Sequence, residues 1–308
     1  MMRARIFVAA AATFALAACG ANNDPLSNDT DKGGASNAPS TITVGSANFA
    51  ESELLAEIYS QALEAKGVQV KRQFNIGARE LYLKALQDGS IDLLPEYNGA
   101  LLSALATGGA PQGVSSPDDV LAALKKVLPS GTEVLDQSAA EDKDTLTVTQ
   151  ETATKYTLKT IDDLKPVAGK LSIGAGPEWQ ERYQGLKGLD QLYGVKFKTF
   201  KPLDAGGPLT LSALLKGQID VGNIFSTDSA IKKNNLVVLD DPKNLYLAEN
   251  VLPLIRSEAN NPTVSGALNA VSAKLTTDNL TTYLAKVQLD KQDTAVVAKA
   301  FLADNGLA

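Results

Sequence analysis

Carboxylates are the reactive side chains that this 308-residue chain holds in abundance. It has 35 Asp and Glu residues, no histidine and a single cysteine. Ser-His and Cys-His nucleophile pairs and His-ligated metal sites are therefore excluded, as are disulfide frameworks and thiolate clusters. No Walker-type loop, glycine-rich and ending in Lys-Ser/Thr, occurs. Carboxylate-only chemistry remains open, and the sequence predicts no metal and no cofactor.

The one cysteine, Cys19, ends an N-terminal segment of secretory type. Arg3 and Arg5 precede an apolar run over residues 6–18, which is too short for a typical transmembrane helix. The run ends Leu-Ala-Ala-Cys, which resembles the lipobox, whose cysteine is diacylated and becomes the mature N-terminus. We predict a signal peptide over 1–18 and a lipid anchor on Cys19, at the extracytoplasmic face of the membrane. The alternative is a plain signal peptide with a chance cysteine.

The remainder divides into a short tether and a folded body. Without the two N-terminal arginines, 27 basic residues face 35 acidic ones, a net charge of −8. This charge disfavours nucleic acid and broad contacts with anionic lipid. Residues 19–40 contain one large apolar residue, Leu26, and predict a flexible tether. The body is predicted over 41–308.

The body alternates strand and helix patterns. Residues 41–45 read TITVG, a β-branched strand, and an amphipathic helix over 52–66 ends at Gly67. The next pattern predicts a strand over 68–74, a helix over 78–88 and a short strand over 91–94, stopped by Pro95. The same order returns over 171–239. Such alternation predicts an α/β fold with mostly parallel sheets flanked by helices.

An internal repeat places two aromatic side chains at equivalent positions. Residues 85–93 read ALQDGSIDL, and residues 213–221 read ALLKGQIDV. An aromatic residue follows each strand in the same register, Tyr97 in the first unit and Phe225 in the second. Ligands bind beyond the carboxyl ends of parallel strands. The repeat therefore predicts two similar lobes, with Tyr97 and Phe225 facing one cleft.

Five segments carry a family resemblance: 45–51 (GSANFAE), 89–99 (GSIDLLPEYNG), 176–182 (GPEWQER), 201–204 (KPLD) and 225–228 (FSTD). With them the chain resembles the substrate-binding proteins of ABC importers, in the glycine betaine/choline branch. The resemblance implies a two-lobed, type II-like periplasmic-binding-protein fold with crossover strands. It places lobe 1 at 41–144 plus 246–308 and lobe 2 at 145–245. It also implies a monomer without enzymatic activity that delivers a small solute to an ABC permease.

The resemblance also implies a site chemistry. A quaternary ammonium offers no hydrogen-bond donor and is held by aromatic faces, whereas a betaine carboxylate suits an arginine fork. Tyr97 matches a cage tyrosine of the family, Phe225 falls where another lies, and Arg182 falls where a carboxylate-binding arginine lies. We predict six further ligand-binding residues: Asn48, Phe49, Trp179, Asp204, Thr227 and Glu249.

The chain departs from the family pattern at four positions. Two further cage positions fall at Leu146 and Glu249, which are not aromatic. A lysine common in the first loop is Ala47, and a threonine after the Tyr97 loop is Ala100. The aromatic cage is therefore expected to be reduced, and Glu249 could pair with a cation instead.

Each candidate also has a structural alternative. Tyr97, Phe225 and Trp179 could pack in the core, and Arg182 could pair with Glu178 or Glu181. Asp204 and Asp228 could cap helices, and Glu51 and Glu53 lie in a first helical turn, where acids favour the helix dipole.

The prediction is a lipoprotein that captures a quaternary-ammonium osmolyte. One alternative is the same fold binding an amino acid, a polyamine or an aromatic compound. The other is an extracellular enzyme with two carboxylates roughly 5–10 Å apart.

Overall fold

The computed structural model describes residues 41–106 and 113–308, and the predictions for the signal, Cys19 and the tether lie outside these ranges. Ten strands run in chain order: β1 Thr41–Gly45, β2 Gln69–Gln73, β3 Leu93–Tyr97, β4 Thr132–Val134, β5 Asp144–Val148, β6 Ser172–Ala175, β7 Thr199–Pro202, β8 Val221–Phe225, β9 Val237–Val238 and β10 Val251–Arg256. The α-helices are α1 Ala50–Glu64, α2 Arg79–Gln87, α3 Asn98–Leu105, α4 Pro117–Leu124, α5 Gln150–Tyr156, α6 Pro208–Leu215, α7 Ala230–Lys233, α8 Pro262–Ser272, α9 Thr277–Gln288 and α10 Thr294–Asp304.

The strands form two five-stranded sheets, each the centre of one lobe. Lobe 1 has the order β2-β1-β3-β10-β4, and lobe 2 has the order β7-β6-β8-β5-β9. The pairs β1–β2, β1–β3, β6–β7 and β6–β8 are parallel. The strands β10 and β5 pair antiparallel with both of their neighbours. The α/β class is confirmed, but each sheet is mixed rather than mostly parallel.

Two crossover segments connect the lobes. One leads from β4 to β5, the other from β9 to β10, and they meet in an antiparallel bridge between Glu141 and Asn250. The strands of lobe 2 therefore lie between two parts of lobe 1 in sequence. The boundaries at 144/145 and 245/246 stay a prediction.

Pro95 does not stop the third strand, as the sequence pattern predicted, but lies inside β3. It faces Pro253 of β10 in the antiparallel register. The carbonyl of Pro253 accepts from the amide of Leu135, so the backbone of Pro253 points away from β3. The two prolines thus form a non-hydrogen-bonded pair, in which neither missing N–H interrupts the ladder.

The repeat gives the same backbone contact in both lobes. The carboxylate of Asp92 accepts the amide of Thr43 in β1 at 2.8 Å, and that of Asp220 accepts the amide of Ser172 in β6 at 2.7 Å. Gly89, which follows α2, has a φ of +79°, a backbone conformation that glycine adopts without steric cost. The prediction of two similar lobes is thereby confirmed at residue level.

Helix α1 organises the core of lobe 1. Eleven of its 15 residues are buried, so it packs on all but one narrow face. It contacts α8, α9 and α10, whose apolar residues belong to the same hydrophobic cluster. Within the region 171–239, where the strand and helix patterns return, residues Tyr183–Lys187 and Leu189–Tyr193 form two π-helical turns. No helix of the described ranges is sufficiently long and apolar to cross a membrane.

Candidate functional site between the lobes

A cavity of about 60 Å³ lies between the lobes, beyond the carboxyl ends of β1, β3, β6 and β8. The loops after these strands supply one part of its lining, and the crossover segments supply another. Its walls combine aromatic, carboxylate and arginine side chains. The lining residues are Ala47, Asn48, Phe49, Ala78, Arg79, Tyr82, Tyr97, Ala100, Asp142, Asp144, Gly176, Glu178, Trp179, Arg182, Ala205, Asn223, Phe225 and Glu249.

Three aromatic rings form a continuous row in the cavity wall. The ring of Phe49, in the loop after β1, lies between those of Tyr97 and Phe225. Its centroid is 6.2 Å from that of Tyr97 and 5.1 Å from that of Phe225, and both pairs are tilted. Phe225 belongs to lobe 2 and the other two rings to lobe 1, so the row crosses the cleft. Such faces suit an organic cation.

Trp179 adds a further aromatic side chain to the lining, beside this row and Tyr82. It lies in a 3₁₀ turn after β6, Pro177–Gln180, and only 3% of its surface is exposed. Within the described part of the chain its indole Nε1 is buried without a hydrogen-bond partner. Trp179 therefore packs in lobe 2 and lines the cavity as well.

Three carboxylates come from the crossover segments. Asp142 and Asp144 lie on the first segment and Glu249 on the second, where the amide of Asp142 donates to the carbonyl of Glu249 at 3.1 Å. Burial raises the pKa of Glu249 well above its usual range, and the neighbouring Asp144 raises it further. Burial also raises the pKa of Asp144, against a hydrogen bond from Asn223. The connecting strands thus hold acidic groups that are poorly compensated.

A hydrogen-bond network beside the cavity joins the lobes through Glu51. Its carboxylate accepts the hydroxyl of Tyr97 at 2.7 Å and that of Thr227, from lobe 2, at 2.6 Å. Asp142 accepts the amide of Thr227 at 3.0 Å. Burial raises the pKa of Glu51, and burial together with Glu51 raises that of Asp142. Glu51 is thus part of a buried interlobe network, beyond the dipole role expected for a first-turn acid.

The two arginines of the cavity are both held by carboxylates of the protein. Arg79 donates to Glu96 through Nε and Nη2, at 2.8 and 3.1 Å, and Glu96 is fully buried. Arg182 donates to Glu80 across the cleft through Nε and Nη2, at 3.0 and 2.9 Å. The hydrogen bond from Arg182 lowers the pKa of Glu80. Glu178 lies farther away, at 3.8 Å from Arg182.

Seven of the nine predicted ligand-binding residues line the cavity: Asn48, Phe49, Tyr97, Trp179, Arg182, Phe225 and Glu249. Asp204 and Thr227 do not. The Asp204 carboxylate accepts the amides of Leu209 and Thr210, both at 2.8 Å, so it caps α6. Asp228 accepts the amide of Ala230 at 2.8 Å, as the capping alternative expected.

The cage position assigned to Leu146 is wrong. Leu146 is fully buried in the core of lobe 2, and the cavity is lined by Asp144, two residues earlier on β5. The other three positions of departure, Ala47, Ala100 and Glu249, line the cavity. Arg182 pairs with Glu80, and Glu181 pairs with Lys187 instead.

Several cavity residues carry no local signal that would have revealed them. Asp142 and Asp144 lie in a crossover whose partner segment is about a hundred positions away in sequence. Arg79 and Tyr82 have the sequence pattern of ordinary helix residues. Both side chains donate to Glu96 of β3, and this contact between α2 and β3 places them at the cavity. In the ranges described, no group of three or more carboxylates and cysteines is placed to hold a metal ion.

A cavity between two α/β lobes that are joined by two crossover strands defines a two-lobed solute-binding protein. The model of the family described as the substrate-binding domain of ABC-type glycine betaine transport systems matches residues 40–304. The chain therefore belongs to this family, and the predicted resemblance is confirmed.

Two curated relatives are transport binding proteins. The carnitine transport binding protein of Listeria monocytogenes is 27% identical over 273 residues, which are 86% of this chain and 87% of the relative. The glycine-betaine-binding protein of Pseudomonas aeruginosa is 24% identical over 284 residues, covering 87% of this chain and 88% of the relative.

Solved structures share the fold. One, described as a glycine betaine/carnitine/choline ABC transporter, has a TM-score of 0.66 and 24% identity, and covers 86% of this chain and 99% of its own. A choline-binding protein in complex with choline has a TM-score of 0.62 and 13% identity, over 87% and 89% of the two chains. These structures confirm the predicted two-lobed architecture.

Proposed function

We propose that this protein captures a small quaternary-ammonium osmolyte, such as glycine betaine or choline, in the cavity between its lobes and delivers it to an ABC importer. The row of Phe49, Tyr97 and Phe225 carries the proposal, because it brings three aromatic faces together across the cleft. A quaternary ammonium gains roughly 0.5–2 kcal/mol from each such face when it is desolvated. Membership of the family supports the transport role.

Each lobe contributes part of the aromatic wall of the cavity. Phe49 and Tyr97 are attached to lobe 1, and Phe225 and Trp179 to lobe 2. A ligand that contacts all four holds the lobes together, and this is how hinge closure is coupled to binding. The closed form is then the one offered to the permease. The protein performs this role as a monomer and without catalysis.

Isothermal titration calorimetry on residues 41–308 tests the binding proposal. The titrants are choline, glycine betaine and carnitine, with leucine and spermidine representing the alternative ligand classes. Saturable binding of at least one of the first three supports the proposal. Binding of leucine or spermidine alone would replace the quaternary-ammonium class by another ligand of the same fold.

We further propose that Cys19 carries the lipid that keeps the protein at the extracytoplasmic face of the membrane, after cleavage of residues 1–18. The support is the sequence Leu16-Ala-Ala-Cys19 after a short apolar run. Two or more lipid chains anchor firmly, since each buried methylene contributes about 0.8 kcal/mol. Cys19→Ala should release the protein from salt-washed membranes, whereas a variant that stays bound would contradict the anchor.

A further inference from the structure

We propose that the cavity selects an organic cation that carries a hydroxyl group and no carboxylate, and so prefers choline-like ligands to zwitterions. This inference rests on the proposed function of the cleft and narrows its ligand. It comes from the charges and hydrogen bonds of the cavity wall.

The first argument is that both arginines of the wall already have partners. Glu96 occupies two donors of Arg79 in a buried pair, and Glu80 occupies two donors of Arg182 across the cleft. Bidentate pairs of this kind use the geometry that a ligand carboxylate would need. A zwitterion would have to displace Glu80 or Glu96 to reach either guanidinium.

The second argument concerns two amide donors near the acidic groups. Asn223 donates through Nδ2 to Asp144 at 2.7 Å, and Gln184 donates through Nε2 to Glu249 at 2.6 Å. The nearby ammonium of Lys143 pairs with Glu141 at 3.2 Å. These donors stabilise carboxylates of the protein and are not available to a carboxylate of the ligand.

The third argument is the surplus of acceptors. The wall contains the carboxyl groups of Asp142, Asp144, Glu178 and Glu249. In the described residues none of the three crossover acids, Asp142, Asp144 and Glu249, forms an ion pair with a lysine or arginine, whereas Glu178 lies 3.8 Å from Arg182. Burial raises the pKa of Asp144 and of Glu249 by more than the neighbouring donors and cations lower it, so their ionised forms are only partly compensated. A bound cation supplies that compensation, whereas a second carboxylate would add repulsion.

The fourth argument concerns the hydroxyl group of the ligand. Asp144 and Glu249 both line the cavity, and a carboxylate oxygen can accept the proton of a hydroxyl group. A quaternary ammonium without a hydroxyl group has no donor for this hydrogen bond.

Calorimetry with three matched probes tests the inference. Choline and glycine betaine share the trimethylammonium group and differ in a hydroxymethyl or a carboxylate end, and tetramethylammonium lacks both. We expect choline to bind at least roughly tenfold more tightly than either of the others, because a hydrogen bond to a charged group contributes on that scale. Glycine betaine binding as tightly as choline would overturn the inference and leave the proposed function intact. Absence of binding by all three probes would overturn the inference, and absence of carnitine binding as well would overturn the proposed function.

Amide variants test whether the cavity carboxylates themselves recognise the cation, or whether any loss of negative charge has the same effect. Asp144→Asn and Glu249→Gln keep the shape and the hydrogen bonds from Asn223 and Gln184 but remove the negative charge. Each substitution should lower the affinity for choline at least roughly fivefold, and the affinity for glycine betaine should stay unchanged or rise. Asp190→Asn, which removes an exposed partner of Lys196, is the matched control and should change neither ligand. Equal losses for choline and betaine in the two cavity variants would contradict the inference.

Discussion

Arg182 of lobe 2 binds Glu80 of lobe 1 through two hydrogen bonds that connect the lobes. The pair uses the guanidinium face that the family pattern assigns to a ligand carboxylate. The side chain of Glu80 is 59% exposed and that of Arg182 is 22% exposed, so water screens the attraction. An ion pair of this exposure contributes at most about 1 kcal/mol. The pair is therefore expected to influence the relative position of the lobes more than the overall stability.

Removal of Arg182 should consequently affect all ligands alike. Arg182→Ala loses the interlobe pair and should weaken the binding of choline and of glycine betaine by the same factor, no more than about fivefold. Glu80→Gln should weaken choline binding by a similar factor and glycine betaine binding less, because it leaves the guanidinium of Arg182 free for a ligand carboxylate. Titration of both ligands into both variants measures the factor. A loss confined to glycine betaine in Arg182→Ala would show that the guanidinium leaves Glu80 and binds the ligand carboxylate.

The hydroxyl of Thr227 is expected to stabilise the contact between the lobes more strongly. Thr227 is 1% exposed, and its hydroxyl donates to the carboxylate of Glu51. Glu51 is itself buried and also accepts a hydrogen bond from the hydroxyl of Tyr97. Thr227→Val keeps the volume but leaves one carboxylate oxygen without its donor, which should cost about 1–3 kcal/mol of unfolding free energy. Urea denaturation measures this loss.

A matched replacement tests the cause of that loss. Thr227→Ser removes only a methyl group and retains the hydroxyl, so most of the stability should return. If the serine variant is as unstable as the valine variant, the methyl group and its packing are responsible, and the hydrogen bond to Glu51 is not.

The raised acid pKa values predict an unusual dependence of stability on pH. Folding raises the pKa of Glu249 above its ordinary value of 4.5, so the folded state holds a proton that the unfolded state has released. The contribution of this group to stability is thus largest in acid and falls as the pH rises from 4.5 through the folded pKa. Asp142 and Asp144 act in the same direction.

The measurement compares unfolding free energies at about pH 5 and about pH 8 for the unliganded protein and Glu249→Gln. The variant cannot ionise at this position and should lose less stability over the interval, by up to about 1.4 kcal/mol for each pH unit that the group spans. Choline affinity of the parent should rise over the same interval, because the cation favours the ionised acids. Parallel stability profiles for the two proteins would contradict the assignment to Glu249.

The sequence was sufficient for the fold and for the aromatic half of the site. Asp92 and Asp220 belong to a repeat in which the same local contact recurs in each lobe, so two copies revealed two lobes. Tyr97 and Phe225 followed from their position after equivalent strands. Each of these inferences needed only local pattern and the rule that ligands bind beyond parallel strand ends.

The acidic half of the site depends on contacts that local patterns do not contain. Asp144 lines the cavity because the first crossover segment leads into β5, whose first residue pairs with Phe225 of β8, about eighty positions later. Leu146, two residues later on the same strand, lies in the core of lobe 2. The prediction that Pro95 ends the strand failed for a related reason. A proline fits inside β3 because of its pairing with β10, a strand that begins at Val251. Pairings of this separation are determined by tertiary packing rather than by sequence periodicity.

The aromatic row permits the most direct test of the binding mode. Phe49 contacts both other rings, so Phe49→Leu removes the central face while it keeps apolar bulk. Choline should lose about 0.5–2 kcal/mol of binding free energy, as expected for one desolvated cation–π contact. The control ligand is 3,3-dimethyl-1-butanol, which has the shape and hydroxyl of choline but no charge. This uncharged analogue should bind more weakly than choline, and its affinity should be the same for the parent protein and for Phe49→Leu. If both ligands lose equally, Phe49 contributes through packing alone, and the cation is recognised by the carboxylates of the crossover strands without the aromatic faces.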